Sequence, residues 1–208
     1  MRNTLILAAM LAAAPFAAHA EGLSYTYVEA GYSRLDPKSD DLDGAYVRGS
    51  FAIAPQVFVF GGYTRVTDTQ RYSIFGDGSN DLNEKYISSD AEIGIGYHME
   101  LTEKLDFVTD AAFQRSEAEI KSNFLGDRQT VKGHANIGQI TAGVRGKPSA
   151  RTEAWIKGGY FDSNALDQGK FLGVLGGQVN FTRTWGLVAE FQFVEHSNQG
   201  WLGVRASF

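Results

Sequence analysis

The chain has no cysteine and only four prolines among its 208 residues. Without cysteine, neither a disulfide framework nor thiol chemistry is available to the fold. Beyond residue 20 there is no run of 18 apolar residues, so the sequence predicts no transmembrane helix in that part of the chain. The formal net charge of −5 argues against nucleic acid as a partner.

The first 20 residues have the pattern of a secretory signal peptide. A short basic start, Met1-Arg2-Asn3, precedes an almost wholly apolar stretch from Leu5 to Ala18, and Ala18-His19-Ala20 fits a small-x-small cleavage site. The apolar stretch is too short and too rich in alanine for a convincing membrane anchor. We therefore expect residues 1–20 to be removed on export and residues 21–208 to form one domain.

Alternation of apolar and polar residues recurs about ten times after that, with turn residues between the repeats. The predicted strands are 23–34, 44–53, 57–67, 86–99, 105–118, 135–146, 152–162, 170–181, 185–195 and 199–208. Short connectors alternate with mostly longer ones, of which 35–43, 68–85 and 119–134 are long and polar. This layout predicts a ten-stranded antiparallel transmembrane β-barrel of the outer-membrane type, with both termini on the periplasmic side.

The two faces of each predicted strand differ. We expect Tyr32, Phe60, Ile95, Phe113 and Phe191 to represent the lipid face. The opposite face predicts a polar network in the lumen, made of Glu29, Arg48, Arg65, Asp90, Glu92, Asp110, Arg145, Lys157, Glu190 and Arg205. A soluble lipocalin-like barrel would reverse the two faces and is the structural alternative.

Three features favour the membrane orientation over the soluble one. Aromatic residues stand at both ends of the apolar rows, as in the two girdles of membrane barrels, with Phe51, Phe58, Phe181 and Phe208 at the short turns. The charged face mixes acids and bases, so charges in a lumen could pair. A last strand paired with the first would remove both sheet edges, which hydrocarbon requires.

Parts of the chain resemble a known family. Glu21-Gly-Leu-Ser-Tyr-Thr-Tyr-Val-Glu-Ala-Gly-Tyr32, Gly49-Ser-Phe-Ala-Ile-Ala-Pro55, Phe60-Gly-Gly-Tyr63, Trp185-Gly186 and the final Gly203-Val204-Arg205-x-x-Phe208 carry the likeness. They are similar to small outer-membrane β-barrels described as diffusible-signal-factor-regulated, or as activators of plant innate immunity. The resemblance implies an outer-membrane barrel with no catalytic residues and no cofactor. It also implies that the aromatic Phe208 is an assembly signal read by the outer-membrane insertion machinery.

One stretch, Glu195-His196-Ser197-Asn198, bears a superficial likeness to the active site of outer-membrane lipid A deacylases. Adjacent residues of a strand point to opposite faces, so His196 could not easily act as a base for Ser197. A polar turn is the favoured interpretation. We find no other catalytic arrangement, no cofactor motif and no histidine cluster with metal-ligand spacing, and expect no enzymatic activity.

The sequence thus predicts a non-enzymatic outer-membrane barrel with a structural or surface-interaction role carried by the loops 35–43, 68–85 and 119–134. The functional alternatives are a small passive pore and, less favoured, a lipid-modifying enzyme. Ten strands lie near the limit at which side chains fill a barrel, which disfavours a general porin. The expected partners are outer-membrane lipid, lipopolysaccharide and the insertion machinery, with any surface ligand unidentified.

Overall fold

The computed structural model describes residues 22–36, 41–73, 82–124, 127–195 and 197–208. Ten strands make up nearly all of this part of the chain. In chain order they are β1 (Tyr27–Asp36), β2 (Leu42–Ala54), β3 (Val57–Tyr72), β4 (Leu82–Thr102), β5 (Leu105–Phe124), β6 (Asp127–Ser149), β7 (Thr152–Ser163), β8 (Lys170–Asn180), β9 (Trp185–Val194) and β10 (Ser197–Ser207).

The strands form one closed antiparallel barrel in which each strand pairs with its neighbours in sequence. The ring closes between β1 and β10, where Tyr27 lies opposite Ser207 and Asp36 opposite Asn198. Closure satisfies the backbone hydrogen-bonding groups of both terminal strands, so neither is left as an edge. The predicted fold class and strand number are confirmed. No helix in the described segments is long and apolar enough to cross a membrane.

The two ends of the barrel differ. Short connectors at 55–56, 103–104, 150–151 and 181–184 lie at one end, which we call the turn end. The start of β1 and the end of β10 lie there as well, because Tyr27 pairs with Ser207. We call the opposite end the extended end, because four strands continue there beyond their neighbours.

At the extended end, β3 to β6 form a sheet that projects past the rim. Pairing between β3 and β4 continues to Tyr72 and Leu82, and pairing between β5 and β6 continues to Phe124 and Asp127. Strand β7 leaves β6 already at Ile137. We call residues 68–72, 82–86, 115–124 and 127–136 the extended sheet. At about 3.3 Å per residue, its β6 strand reaches roughly 30 Å beyond the pairing with β7.

The prediction that 68–85 and 119–134 are loops is therefore wrong for most of their described residues, since 68–72, 82–85, 119–124 and 127–134 are strand; residues 37–40, 74–81 and 125–126 lie outside the described residues. Alternation is a poor guide to these strands because no residue of the extended sheet is buried, so apolar and polar residues need not alternate. Ile120, Phe124 and Val131 are exposed there.

The predicted first strand also needs correction. Residues 23–26 are irregular, and β1 begins only at Tyr27. Tyr25 is 5% exposed and packs with Phe58 and Val108, so the segment that carries it enters the lumen at the turn end of the barrel. The Tyr25 side chain is in phase with the inward Glu29, but the pairing of β1 with β2 and β10 begins only at Tyr27.

The exterior of the barrel is apolar and the interior is charged, as the alternation predicted. Glu29 is 1% exposed and Arg205 is 3% exposed, whereas Phe171 is 81% exposed. Other large apolar side chains exposed on the outer face include Tyr32, Phe51, Ile93, Ile95, Phe113, Ile140, Ile156, Tyr160, Leu175, Phe181, Leu187, Phe191, Phe193 and Leu202. This distribution is the reverse of that in a water-soluble protein.

On β3 the predicted faces are reversed. Phe58 is buried and Phe60 half-buried in the lumen, whereas Arg65, predicted to face the lumen, is exposed on the outside. A Cβ at Gly94 or Gly96 of β4 would collide with these two rings, so glycine makes room for them. The alternation could not fix the phase because Val57, Val59 and Tyr63 are also apolar.

Cysteine labelling tests which side chains of β3 face outward. The chain has no native cysteine, so only the introduced residue can react. In detergent micelles, we expect Val59→Cys to react with a hydrophobic maleimide at least tenfold faster than Phe60→Cys, because only the first side chain leaves the barrel. Outward Ile95→Cys is the positive control. Faster labelling at residue 60 than at residue 59 would restore the phase predicted from sequence.

Candidate functional site in the barrel lumen

The centre of the lumen is organised by Glu29. Glu29 on β1 lies directly opposite Arg48 on β2 and Arg205 on β10. One acid therefore stands between two bases in a row across three adjacent strands. Arg48 Nε donates to Glu29 Oε1 at 2.7 Å, and Arg205 Nε donates to Glu29 Oε2 at 2.5 Å. The triad therefore links β1 and β10, whose pairing closes the barrel, with β2.

Arg48 extends this triad across the lumen. Its Nη1 donates to Glu190 Oε1 on β9 at 2.6 Å, and the other oxygen of Glu190 accepts the indole N–H of Trp155 on β7 at 2.7 Å. A continuous set of charge-assisted hydrogen bonds thus runs from β2 to β7. The side chains that form it occupy the middle of the barrel and narrow any passage through it.

Two further ion pairs lie on the wall formed by β5, β6 and β7. Lys157 Nζ donates to Asp110 Oδ2 at 2.8 Å, and the Thr141 hydroxyl donates to Asp110 Oδ1 at 2.7 Å. Nearer the turn end, Arg145 Nη2 donates to Glu153 Oε2 at 2.6 Å. Each buried acid in these pairs has a cation and so avoids the large cost of an unpaired buried charge.

An aromatic plug closes the turn end of the lumen. Tyr25, Phe58 and Val108 form a buried cluster. The Tyr25 hydroxyl donates to Asp106 Oδ2 at 2.8 Å, and the Tyr25 ring lies 3.8 Å from the ring of His98, centroid to centroid. The irregular segment before β1 is thereby fixed inside the barrel by both packing and a hydrogen bond.

Aromatic rings also cover the lumen guanidiniums. The Arg48 guanidinium lies 5.0 Å from the ring centroids of both Tyr46 and Trp201, and that of Arg205 lies 3.9 Å from the ring of Tyr27. These are cation–π distances. The rings hold the arginines in place and leave them little freedom to move aside for a permeating solute.

Of the ten residues predicted for the lumen, the structure places nine inside the barrel and Arg65 outside. Seven of the nine, namely Glu29, Arg48, Asp110, Arg145, Lys157, Glu190 and Arg205, take part in the ion pairs above. Asp90 and Glu92 form no ion pair with any described residue. Gln114 Nε2 donates to Asp90 Oδ1 at 3.1 Å, and Gln139 Nε2 donates to Glu92 Oε2 at 3.4 Å.

A cavity of about 390 Å³ lies within the lumen. Its lining includes both the polar wall of β4 to β6 and an apolar wall on β7 to β9, where Phe161, Val174 and Val194 lie. Leu35 and Ser197, at the ends of their strands, also line it, so the cavity extends to the rim at the extended end. A cavity of this size and mixed lining can hold a small organic molecule.

Several residues that face the lumen were not among those predicted from the sequence. Glu153 and Trp155 alternate in phase with Lys157, and Trp201 alternates in phase with Arg205, so the same rule that found the charges could have found them. Tyr25 lies in the predicted strand 23–34 in phase with Glu29, so the alternation indicates its inward position as well, although β1 itself begins at Tyr27.

The remaining sequence predictions concern the end of the chain and enzymatic chemistry. The Phe208 N–H donates to Thr26 O at 2.9 Å, and the Ser24 hydroxyl donates to Phe208 O at 2.7 Å. The assembly role of Phe208 stays a prediction. Ser197 begins β10 and lines the cavity, while His196 lies outside the described residues, as do residues 1–21 with the predicted signal peptide. The described residues contain no group of three or more potential metal ligands.

The barrel is similar in shape to solved bacterial proteins. Ail, the attachment invasion locus protein of Yersinia pestis, crystallised with the heparin analogue sucrose octasulfate, is 11% identical over 88% of this chain and 97% of Ail, with a TM-score of 0.49. Neisserial surface protein A is 17% identical over 90% of this chain and 100% of its own, with a TM-score of 0.38. The KdgM porin is 9% identical over 88% of this chain and 99% of its own, with a TM-score of 0.45. Likeness of this degree carries no information on function.

No protein-family model and no curated protein sequence matches the chain. The resemblance to diffusible-signal-factor-regulated barrels, seen in the first three and last two strands, therefore stays a prediction.

Removing Glu29 tests the central triad. Glu29→Ala leaves Arg48 and Arg205 buried without the acid that lies between them, which we expect to lower the free energy of unfolding by about 3–5 kcal/mol. Urea unfolding of the refolded barrel, followed by tryptophan fluorescence, measures the change. The exposed Glu117→Ala is the control and should cost no more than about 1 kcal/mol. Equal losses in the two variants would contradict the account.

Proposed function

We propose that the chain is a non-enzymatic outer-membrane β-barrel whose wall spans the membrane. The closed ring, the apolar exterior and the paired charges inside support this proposal. Hydrocarbon admits only structures whose backbone groups are all satisfied, and a closed barrel meets that condition. A soluble barrel would expose side chains such as Phe171 and Ile93 to water with nothing to cover them.

The turn end faces the periplasm in this proposal, and the extended end faces the cell exterior. The extended sheet supports this orientation, because successive residues from 127 to 134 are exposed and the ion pairs there are water-accessible. Examples are Arg115 with Glu117 at 3.1 Å and Lys132 with Glu119 at 3.3 Å. Such a surface suits water on both faces and does not suit lipid.

The extended sheet carries the proposed function, which is interaction with a partner at the cell surface. Among the described residues, no strand pairs with the outer edge of β6 over residues 127–135. An open edge offers backbone N–H and C=O groups to an added strand. Exposed Ile120, Phe124 and Val131 beside the edge add apolar contact area. The extended sheet therefore takes the place of the loops that the sequence predicted.

Site-specific labelling on intact cells tests the orientation. A membrane-impermeant maleimide should label Val131→Cys, on the extended sheet, without permeabilisation. Ala150→Cys, in a turn at the opposite end, should react only after the outer membrane is permeabilised. Labelling of residue 150 but not of residue 131 on intact cells would show the inverted orientation.

Shortening the extended sheet tests the surface role. Replacing residues 117–134 with a two-residue turn should abolish adhesion of expressing cells to each other or to immobilised matrix protein and polysaccharide, because the open edge is gone. The matched control shortens the β7–β8 connector, 164–169, at the same end of the barrel. Both variants must reach the membrane in equal amounts with the gel mobility of a folded barrel. Unchanged adhesion without the extended sheet would contradict the proposal.

A passive pore is the competing function, and the lumen disfavours it. The Arg48–Glu190 bridge crosses the barrel, and the Tyr25 cluster fills the turn end. We expect no steady conductance from the wild type in planar bilayers, whereas the variant Tyr25→Ala/Phe58→Ala/Arg48→Ala/Glu190→Ala should conduct because both obstructions are removed. Steady wild-type conductance at the level of that variant would favour the pore.

A further inference from the structure

We propose that the lumen cavity binds an organic cation with an apolar body, entering from the extended end. The cavity has two unlike walls, a carboxylate wall and an apolar wall, and it reaches the rim on one side only. The site is separate from the extended sheet, so the inference goes beyond the surface role proposed above.

The carboxylate wall consists of Asp90 and Glu92, which line the cavity and form no ion pair with any described residue. Arg48, Arg205, Lys157 and Arg145 are all committed to Glu29, Glu190, Asp110 and Glu153. Asp90 receives hydrogen bonds from Gln114 and Ser116, and Glu92 receives one from Gln139. Carboxylates taken out of bulk water without a counter-charge are costly, and a bound cation would offset that cost.

Strand geometry places the two free acids so that they can share one ligand. Asp90 and Glu92 are two residues apart on the inward face of β4, which corresponds to about 6.6 Å along the strand. A single ammonium group between them would lie within reach of both. The described residues show no third carboxylate or histidine grouped with them as a metal site would require, which favours an organic cation over a metal ion.

The apolar wall is the unusual feature of this lumen. Trp155, Leu172, Val174 and Val188 form a buried cluster on the inner face of β7 to β9, with Phe161 and Val194 packed against it. Of these, Trp155, Phe161, Val174 and Val194 line the cavity. They offer a surface for the hydrocarbon part of a ligand.

Gln139 connects the two walls. Its amide donates to Glu92, and its register partner on β7 is Phe161. A ligand whose cationic group lies at Glu92 can therefore place a ring or short chain against Phe161 without leaving the cavity. The volume of about 390 Å³ suits a molecule with one aromatic ring and a short alkyl arm.

Three probes of the same shape but different charge test the proposal on the purified protein in a nonionic detergent. They are 4-phenylbutylammonium, the neutral 4-phenylbutanol and the anionic 4-phenylbutyrate. Trp155 and Trp201 line the cavity, so tryptophan fluorescence reports occupancy. We expect saturable binding of the ammonium, at least tenfold tighter than that of the alcohol, and no saturable binding of the carboxylate. Equal binding of the ammonium and the alcohol would overturn the proposal.

Variants then assign the site. Asp90→Asn/Glu92→Gln should weaken ammonium binding about tenfold or more, a difference of about 1.4 kcal/mol or more, and bring it to the level of the alcohol. Glu117→Gln, which removes an equal charge from the exposed exterior, should leave binding unchanged. Phe161→Ala should weaken the ammonium and the alcohol alike. Ammonium binding that survives in a folded double variant would place the probe elsewhere and refute the site; if the double variant does not fold, the charge series and Phe161→Ala decide.

Discussion

The pairing of Glu29 with Arg48 and Arg205 is the interaction on which the closed barrel depends most. Three strands meet at that row, including the two whose pairing closes the ring. A slip of β10 by one residue would turn Arg205 outward and leave Glu29 with one cation fewer, because strand side chains alternate between faces. The buried triad therefore specifies register as well as adding hydrogen bonds.

The same alternation divides the molecule into a wall and a lumen with opposite chemistry. Along β9, Leu187, Phe191 and Phe193 are exposed on the outside while Glu190 reaches Arg48 on the inside. Above the rim this division ends, and the extended sheet exposes both faces. In the proposed membrane setting the three regions differ in their surroundings, which are lipid outside the wall, paired charges in the lumen and water around the extended sheet, and the residue pattern of each region suits those surroundings.

The sequence was sufficient to predict ten strands, the antiparallel barrel and nine lumen residues, because most strands carry a single apolar face. It was insufficient for β3, where both alternating sets contain large apolar residues and only pairing with Gly94 and Gly96 decides the phase. It was also insufficient for 119–134, because a sheet exposed on both faces has no buried row to reveal it. The apolar wall inside the lumen was missed because Val174 and Phe161 read as ordinary strand residues.

The most direct measurement is a double-mutant cycle of Glu29→Ala and Arg205→Ala on the free energy of unfolding. Because the two side chains form one buried pair that closes the ring, the account predicts that the double variant loses clearly less stability than the sum of the two single variants. Coupling between such partners lies in the range of about 0.5–3 kcal/mol. Strictly additive losses would show that the two residues do not interact in the folded protein and would contradict the proposed basis of barrel closure.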